Sequence, residues 1–352
     1  MIKYLVVCFL LTTIAGSSVR GSESRLPDIA SYLVRAGLAL DGLDAAPADA
    51  APADAAPVDA EAVDDKSTGD KSADDKSADD KSAGAAPDPS KPCAGVSFSR
   101  KLKYGESDLN VLDVATGDSK DASPRPVLLF VAGESFAGDS GAPDAAGSLQ
   151  DQAMCFAARH DMVGVKVNYR PAPANPWPSG AKDVAAAASW VHQNIDLFGG
   201  SRDEVVAIGY SVGAFHVASL LAHPEFQERD SDVAAAVLVS GIYHSSADAG
   251  AAEKSYFGAD ASKYDERSAF PGILNIETPI LLAWAAVDPP RLVTEGEKLK
   301  ARLCNSATHC PHTTVLKERA SLASVFGLDG SPGSLAGPTL ELVREIEARG
   351  LP

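Results

Sequence analysis

Short apolar runs alternate with amphipathic stretches over residues 93–352. Apolar runs bounded by turn residues predict buried strands, and the helical spacing between them predicts covering helices. This alternation is typical of an α/β fold with a mostly parallel central sheet flanked by helices on both faces. The predicted strands are 109–114, 126–133, 163–169, 204–210, 234–242, 279–287 and 312–318, and the predicted helices lie near 145–159, 180–197, 212–222, 292–303 and 337–348.

The pattern is different at the start of the chain. Residues 1–21 hold a lysine, an apolar run and then small residues, which is typical of a secretory signal peptide cleaved between positions 16 and 21. The apolar run is short for a bilayer, and no later stretch predicts a membrane span. We therefore expect a secreted or extracellular protein. An uncleaved N-terminal anchor is the alternative.

Two further segments precede the α/β pattern. Residues 22–40 carry a weak helical pattern. Residues 41–92 repeat AAPAD and then DDKSA, with 14 Asp and Glu residues against five Lys. A segment with so few large apolar side chains cannot offset the entropy lost on folding, so we predict a disordered acidic linker. The alternative is that 41–92 binds cations or a basic surface. We expect residues 93–352 to form the folded domain.

The net charge and the cysteine content indicate which partners and which compartment this protein has. The formal net charge of −17 repels phosphate backbones and argues against nucleic-acid binding. Export implies an oxidising compartment, in which the four cysteines after the signal peptide form disulfides. Four cysteines allow three pairings. We favour Cys304–Cys310, across the short loop CNSATHC, together with Cys93–Cys155.

The motif GYSVG at 209–213 joins a predicted strand to a predicted helix. A Gly-x-Ser-x-Gly turn in this context presents a nucleophilic serine at the edge of the sheet. The motif therefore predicts Ser211 as nucleophile. The N–H of Val212, at the helix N-terminus, is a candidate donor to an oxyanion.

Two other stretches carry a family resemblance. VAGESFAGDSG at 131–141 resembles the His-Gly-Gly-Gly/Ala loop of the α/β-hydrolase superfamily, and VNYRPAPANPWPSGAKDVAAAASWV at 167–191 resembles its "DYRLAPE" region. Over about residues 100–348 the chain is most similar to the hormone-sensitive-lipase-like and feruloyl-esterase-like carboxylesterases. The resemblance implies the α/β-hydrolase fold and cleavage of carboxylic esters through an acyl-Ser211 intermediate. It implies a small-molecule ester or acyl ligand and no metal or organic cofactor.

The same resemblance assigns the other roles at the site. Gly133 and Glu134 supply further oxyanion N–H groups, although a carboxylate at 134 has to point away from a forming oxyanion. Asp288, which ends the strand PILLAWAAV, fills the position of the triad acid. The alternative is a turn Asp ahead of two prolines.

The triad histidine is missing from its expected place. Aligned on the stretch LASVFGL, the histidine position holds Ser321, and no histidine follows His312. His244, in the loop GIYHSS after a predicted strand, is the one candidate for a replacement base, because a general base must come within hydrogen-bond reach.

Three functions are consistent with these residues. The first is a secreted carboxylesterase. The second is a catalytically impaired pseudo-hydrolase that binds a small hydrophobic ligand or a protein partner. The third is a surface-interaction protein in which 41–92 is the active part. The sequence does not fix the oligomeric state.

Overall fold

The computed structural model describes residues 93–119, 123–133, 135–137, 149–227, 231–306, 310–317 and 334–350. The predicted signal peptide, the segment 22–40 and the acidic linker 41–92 lie outside the described residues, so all three stay predictions. The described part contains the whole predicted α/β pattern apart from short gaps and the stretch 318–333.

An eight-stranded sheet runs through the described domain in the order β1-β2-β4-β3-β5-β6-β7-β8. β1 and β2 pair antiparallel, as do β2 and β4, and every other neighbouring pair is parallel. The predicted mostly parallel sheet is therefore confirmed. The strands are β1 Val96–Lys103, β2 Val111–Gly117, β3 Arg125–Val131, β4 Val163–Val167, β5 Gly200–Tyr210, β6 Ala235–Val239, β7 Ile280–Ala285 and β8 His312–Leu316.

Helices cover both faces of this sheet. Along β3, Val127 and Leu129 pack into the core on one face, and Leu128 and Phe130 pack into the core on the other. This alternation places α2, α3 and α6 over the first face and α1 and α7 over the second. The helices are α1 Leu149–Arg159, α2 Ser179–Asn194, α3 Val212–Ala222, α4 Ala251–Phe257, α5 Tyr264–Arg267, α6 Pro290–Ser306 and α7 Ala336–Gly350.

Three of these strands and helices were not predicted. β1 lies at the edge of the sheet and carries polar residues in VSFSRKLK, so it lacks the apolar run of a buried strand. α4 and α5 have seven and four residues, which is too short to show a clear helical period. Several predicted strands also end earlier than expected, because the apolar run continues past the last paired residue.

The favoured disulfide pairing is confirmed. Cys93–Cys155 ties the segment before β1 to α1, and Cys304–Cys310 closes the end of α6. Over the described ranges, no helix combines the length and hydropathy needed to cross a bilayer. The same ranges contain no group of three or more His, Cys, Asp or Glu residues arranged to hold a metal ion.

Candidate active site

The carboxyl ends of β3, β5, β6 and β7 meet at one edge of the sheet, because these four strands are parallel neighbours. Gly133, Ser211, Ser240 and Asp288 follow these strands at that edge. In open α/β sheets this edge is where ligands bind. The fold therefore brings to one edge three residues for which the sequence predicts roles: Ser211 as nucleophile, Asp288 as triad acid and Gly133 as an oxyanion donor.

Ser211 lies on a strained turn between β5 and α3. Its φ of 54° and ψ of −117° are outside the regions that a serine ordinarily occupies. The Ser211 N–H donates to the carbonyl of Val239, and the Ser211 carbonyl accepts from the N–H groups of Ala214 and Phe215. These bonds hold the strained conformation and leave the half-buried side chain at the sheet edge, as the motif predicts.

The two glycines of GYSVG are required by close packing. A Cβ on Gly209 would lie 2.4 Å from Ala214 Cα, and a Cβ on Gly213 would lie 2.0 Å from the carbonyl oxygen of Val131. Contacts this short exclude any side chain at either position. The motif is thus built into the junction of β3, β5 and α3, and it is not a chance match.

Asp288 is buried at the end of β7, at 8% exposure. Its Oδ2 accepts a hydrogen bond from Ser240 Oγ at 2.6 Å and another from the Ala285 N–H at 2.8 Å. Ser240 itself has a positive φ of 50°. Two donors on one carboxylate oxygen fix the side chain and leave Oδ1 as the remaining acceptor. This geometry suits a residue that orients a base.

The oxyanion donors are not all available in this structure. The Val212 N–H donates to the carbonyl oxygen of Gly133 at 3.0 Å. This carbonyl therefore occupies the direction from which an oxyanion would accept the same hydrogen bond. Glu134 lies outside the described residues. The oxyanion role of Gly133, Glu134 and Val212 stays a prediction, and it requires the peptide after Gly133 to rotate.

The base is the component that the described residues do not supply. The predicted vacant position, Ser321, lies outside the described residues. His244 donates its backbone N–H to Glu295 Oε2, and its imidazole Nε2 lies 2.9 Å from Asp265 Oδ1. No hydrogen bond from His244 to Ser211 or Asp288 is present. The role of His244 as a replacement base stays a prediction that needs this ring to leave Asp265.

The other described histidines are engaged elsewhere. The ring of His192 is bonded to the Asp232 carbonyl, and that of His223 to the Ser268 carbonyl. The His160 ring packs on Phe156. Burial lowers the pKa of its imidazole, and the positive charge of Arg159 lowers it further. His312 lies 3.6 Å from a carboxylate oxygen of Glu345. None of these four contacts Ser211, and His309 lies outside the described residues.

His216 is part of the packing beneath the nucleophile turn. Its ring is 1% exposed and packs edge-on against Tyr169 at 4.5 Å. Burial lowers the pKa of this imidazole to about 3, so the ring is neutral at physiological pH. Its ring also lies so close to Gly180 that a Cβ there would be 2.4 Å from His216 Cε1. His216 therefore has a core position, five residues along the chain from Ser211.

Solved structures share this architecture. Esterase B from Lactobacillus rhamnosis, in a phosphonate-inhibited form, superimposes with a TM-score of 0.58 at 15% identity, covering 74% of this chain and 90% of that one. Thermogutta terrifontis esterase 2 gives a TM-score of 0.54 at 18% identity, covering 73% and 95%. At such identities the likeness concerns the fold. Together with the Ser211 turn, it identifies the α/β-hydrolase fold.

Sequence comparisons indicate which proteins with this fold the chain resembles. Residues 90–264 match the carboxylesterase family model. Esterase LipC of Mycobacterium tuberculosis is 31% identical over 154 residues, which cover 41% of this chain and 36% of that protein. Probable carboxylic ester hydrolase LipM of the same organism is 32% identical over 155 residues, covering 40% and 34%. The matched part spans about a third of the length of these relatives, and over residues 90–264 the chain is similar to carboxylesterases.

Proposed function

We propose that this protein binds a small carboxylic ester or acyl ligand at Ser211 and hydrolyses it far more slowly than an enzyme with a complete Ser-His-Asp triad. The observation that carries the proposal is the missing base. Within the described ranges no imidazole contacts Ser211 or Asp288. In the undescribed stretch 318–333, where the family histidine would lie, the sequence contains no histidine.

The oxyanion side supports the same conclusion. The Val212 N–H is already bonded to the Gly133 carbonyl, so an ester has to displace that bond before the hole can act. Removing one oxyanion donor lowers kcat by about 10²–10³-fold, and loss of triad members lowers it by about 10⁴–10⁶-fold. With no base and with one oxyanion donor already bonded, Ser211 should retain only weak turnover of activated esters.

The finer assignments are part of the proposal. The stretches 131–141 and 167–191 favour the hormone-sensitive-lipase-like and feruloyl-esterase-like branch of the carboxylesterases. The predicted signal peptide and the two disulfides favour an extracellular location. The alternative is that the impaired hydrolase binds a protein partner instead of a small ester.

The test compares the hydrolysis of p-nitrophenyl acetate and butyrate by the full chain and by Ser211→Ala, Ser321→His and Ala261→His. We expect wild type to turn over weakly and Ser211→Ala to be lower by about 10-fold or less, because the loss of a second triad residue adds little once the base is missing. Ser321→His restores an imidazole at the family position and should raise kcat/KM by about 10²-fold, the lower end of the usual effect of a positioned base. Ala261, exposed in a short 3₁₀ turn, is the control position and should give no gain.

Two outcomes would contradict the proposal. One is a wild-type kcat/KM above about 10⁴ M⁻¹s⁻¹ that disappears in Ser211→Ala, which would show that a complete base exists. His244→Ala would then identify or exclude that residue. The other is an equal gain from Ala261→His, which would mean that the added imidazole hydrolyses the ester by itself, without Ser211.

A further inference from the structure

The two disulfides differ in how far their sulfur atoms are open to solvent. In the first, Cys155 is fully buried in α1 and Cys93 is half-buried. In the second, Cys304 is half-buried near the end of α6, and Cys310 is exposed just before β8. Thiol–disulfide exchange requires a thiolate to reach one of the two sulfurs. The Cys304–Cys310 bond is therefore the more accessible of the two to a thiol in solution.

Cys310 also lines a pocket of about 260 Å³, formed by α6, α7 and the segments that lead into β7 and β8. The buried residues of its lining are apolar: Ile280, Leu303 and Pro311. The exposed polar residues of its lining carry charges of both signs, and they are Glu277, His312 and Arg349. A small molecule in this pocket therefore lies next to Cys310, with its body against apolar surface.

The partner cysteine has a different environment. Cys304 lies in the last turn of α6, which ends at Ser306. The carboxyl end of a helix carries partial negative charge from its carbonyl groups, and this turn contains no basic residue to offset it. The field of the helix therefore disfavours a thiolate at Cys304. A sulfur released at this position takes up a proton, and a protonated thiol does not attack a neighbouring disulfide.

We propose that Cys310 is a site of S-thiolation by a low-molecular-weight thiol. The thiolate of the small molecule enters the pocket and attacks Cys310 Sγ. The Cys304–Cys310 bond breaks, and a new disulfide forms between the small molecule and Cys310. The Cys304 sulfur leaves with the electron pair and takes up the proton that the small thiol released. One disulfide replaces another, so no oxidant is consumed, and the proposal does not depend on the chemistry of Ser211.

Incubation of the folded full chain with millimolar glutathione at neutral pH, followed by an acid quench and peptide mass spectrometry, tests the proposal. We expect a product with one glutathione on Cys310, a free thiol at Cys304 and an intact Cys93–Cys155 bond. It should form at least about 10-fold faster than any product of the Cys93–Cys155 bond. In urea, where unfolding exposes both disulfides, this preference should largely disappear.

Two threonine variants test the role of the pocket. Thr278→Trp fills the pocket from a half-buried lining position without a change of charge, and it should slow the modification of Cys310 by at least about 5-fold. Thr294→Trp makes the same substitution at an exposed position of α6 outside this pocket, and it should leave the rate within about 2-fold. A thermal unfolding curve for each variant confirms that it is folded.

Several results would overturn the proposal. One is that both disulfides of the folded chain react at the same rate, or that neither reacts until the chain is unfolded. Another is that glutathione is found on Cys304, or that both sulfurs are released as free thiols with no mixed disulfide. Equal rates for Thr278→Trp and Thr294→Trp would show that the small thiol does not reach Cys310 through this pocket.

Discussion

The turn that carries Ser211 and the loop that carries Gly133 face each other, but they are fixed by different means. The Ser211 turn is enclosed by backbone atoms on both sides, as the close approaches at Gly209 and Gly213 show. The Gly133 loop is joined to it by the hydrogen bond from the Val212 N–H, which is also the donor that an oxyanion would use. The fold thus fixes the Ser211 turn, whereas the predicted oxyanion side depends on how a single peptide is oriented.

The acid and the base differ in a similar way. Asp288 is held by two hydrogen bonds within the sheet edge, from Ser240 and Ala285. The resemblance places the base at position 321, where the sequence has a serine. Replacing a residue whose contacts also support the core destabilises the protein as well as the site.

The largest expected effect concerns the Ser211 turn. Gly213→Ala places a Cβ 2.0 Å from the Val131 carbonyl oxygen, a backbone atom that cannot move without disturbing β3. We expect it to lower the free energy of unfolding by about 3 kcal/mol or more. Urea unfolding of the purified variant measures this loss.

Gly337→Ala is the matched control for that substitution. Gly337 lies in α7, and a Cβ there would meet nothing within 4 Å. Because Ala has the higher helix propensity, we expect a gain of up to about 1 kcal/mol. If both variants lost stability equally, the tight packing of the Ser211 turn would not be what excludes a side chain at position 213.

The next effect concerns the core beneath that turn. His216 has a folded-state pKa of about 3 against an ordinary value of 6.5, because burial disfavours the charged ring. Between these values the unfolded chain binds a proton that the folded chain does not. The free energy of unfolding therefore falls as the pH falls from about 6.5, by about 1.4 kcal/mol per pH unit.

The measurement compares wild type with His216→Leu at pH 7 and pH 5. Wild type should lose about 2 kcal/mol more than the variant over this interval, because only wild type carries this histidine. Other titrating groups contribute equally to both proteins. Parallel pH dependences would show that His216 is protonated in the folded protein, and that the packing beneath Ser211 is looser than the structure indicates.

The smallest effect concerns the acid. Ser240→Ala removes one of the two donors to Asp288 Oδ2, and we expect the free energy of unfolding to fall by about 1.5 kcal/mol, as for a hydrogen bond to a charged group. Ser262→Ala is the control, since Ser262 Oγ donates to Asp260 at an exposed site and should matter by less than about 0.5 kcal/mol. Equal effects in urea unfolding would mean that Asp288 is held no more firmly than a surface carboxylate.

Much of the fold was predictable, because parallel strands buried on both faces leave continuous apolar runs in the sequence. β3, β5, β6 and β7 each correspond to such a run, and the GYSVG motif located the turn between β5 and α3. β1 was missed, since an edge strand with polar residues has no comparable signal. Both disulfides were favoured from the sequence and are present in the structure.

The sequence by itself determined which chemical groups this protein has: a serine in a nucleophile motif, an aspartate after β7, and no histidine after His312. Only the tertiary structure decided what those groups contact. The bond between the Val212 N–H and the Gly133 carbonyl, and the pairing of His244 with Asp265, join residues far apart in the chain. Local sequence patterns cannot specify such contacts, because peptide orientation and side-chain partners are set by packing between elements that meet only after folding.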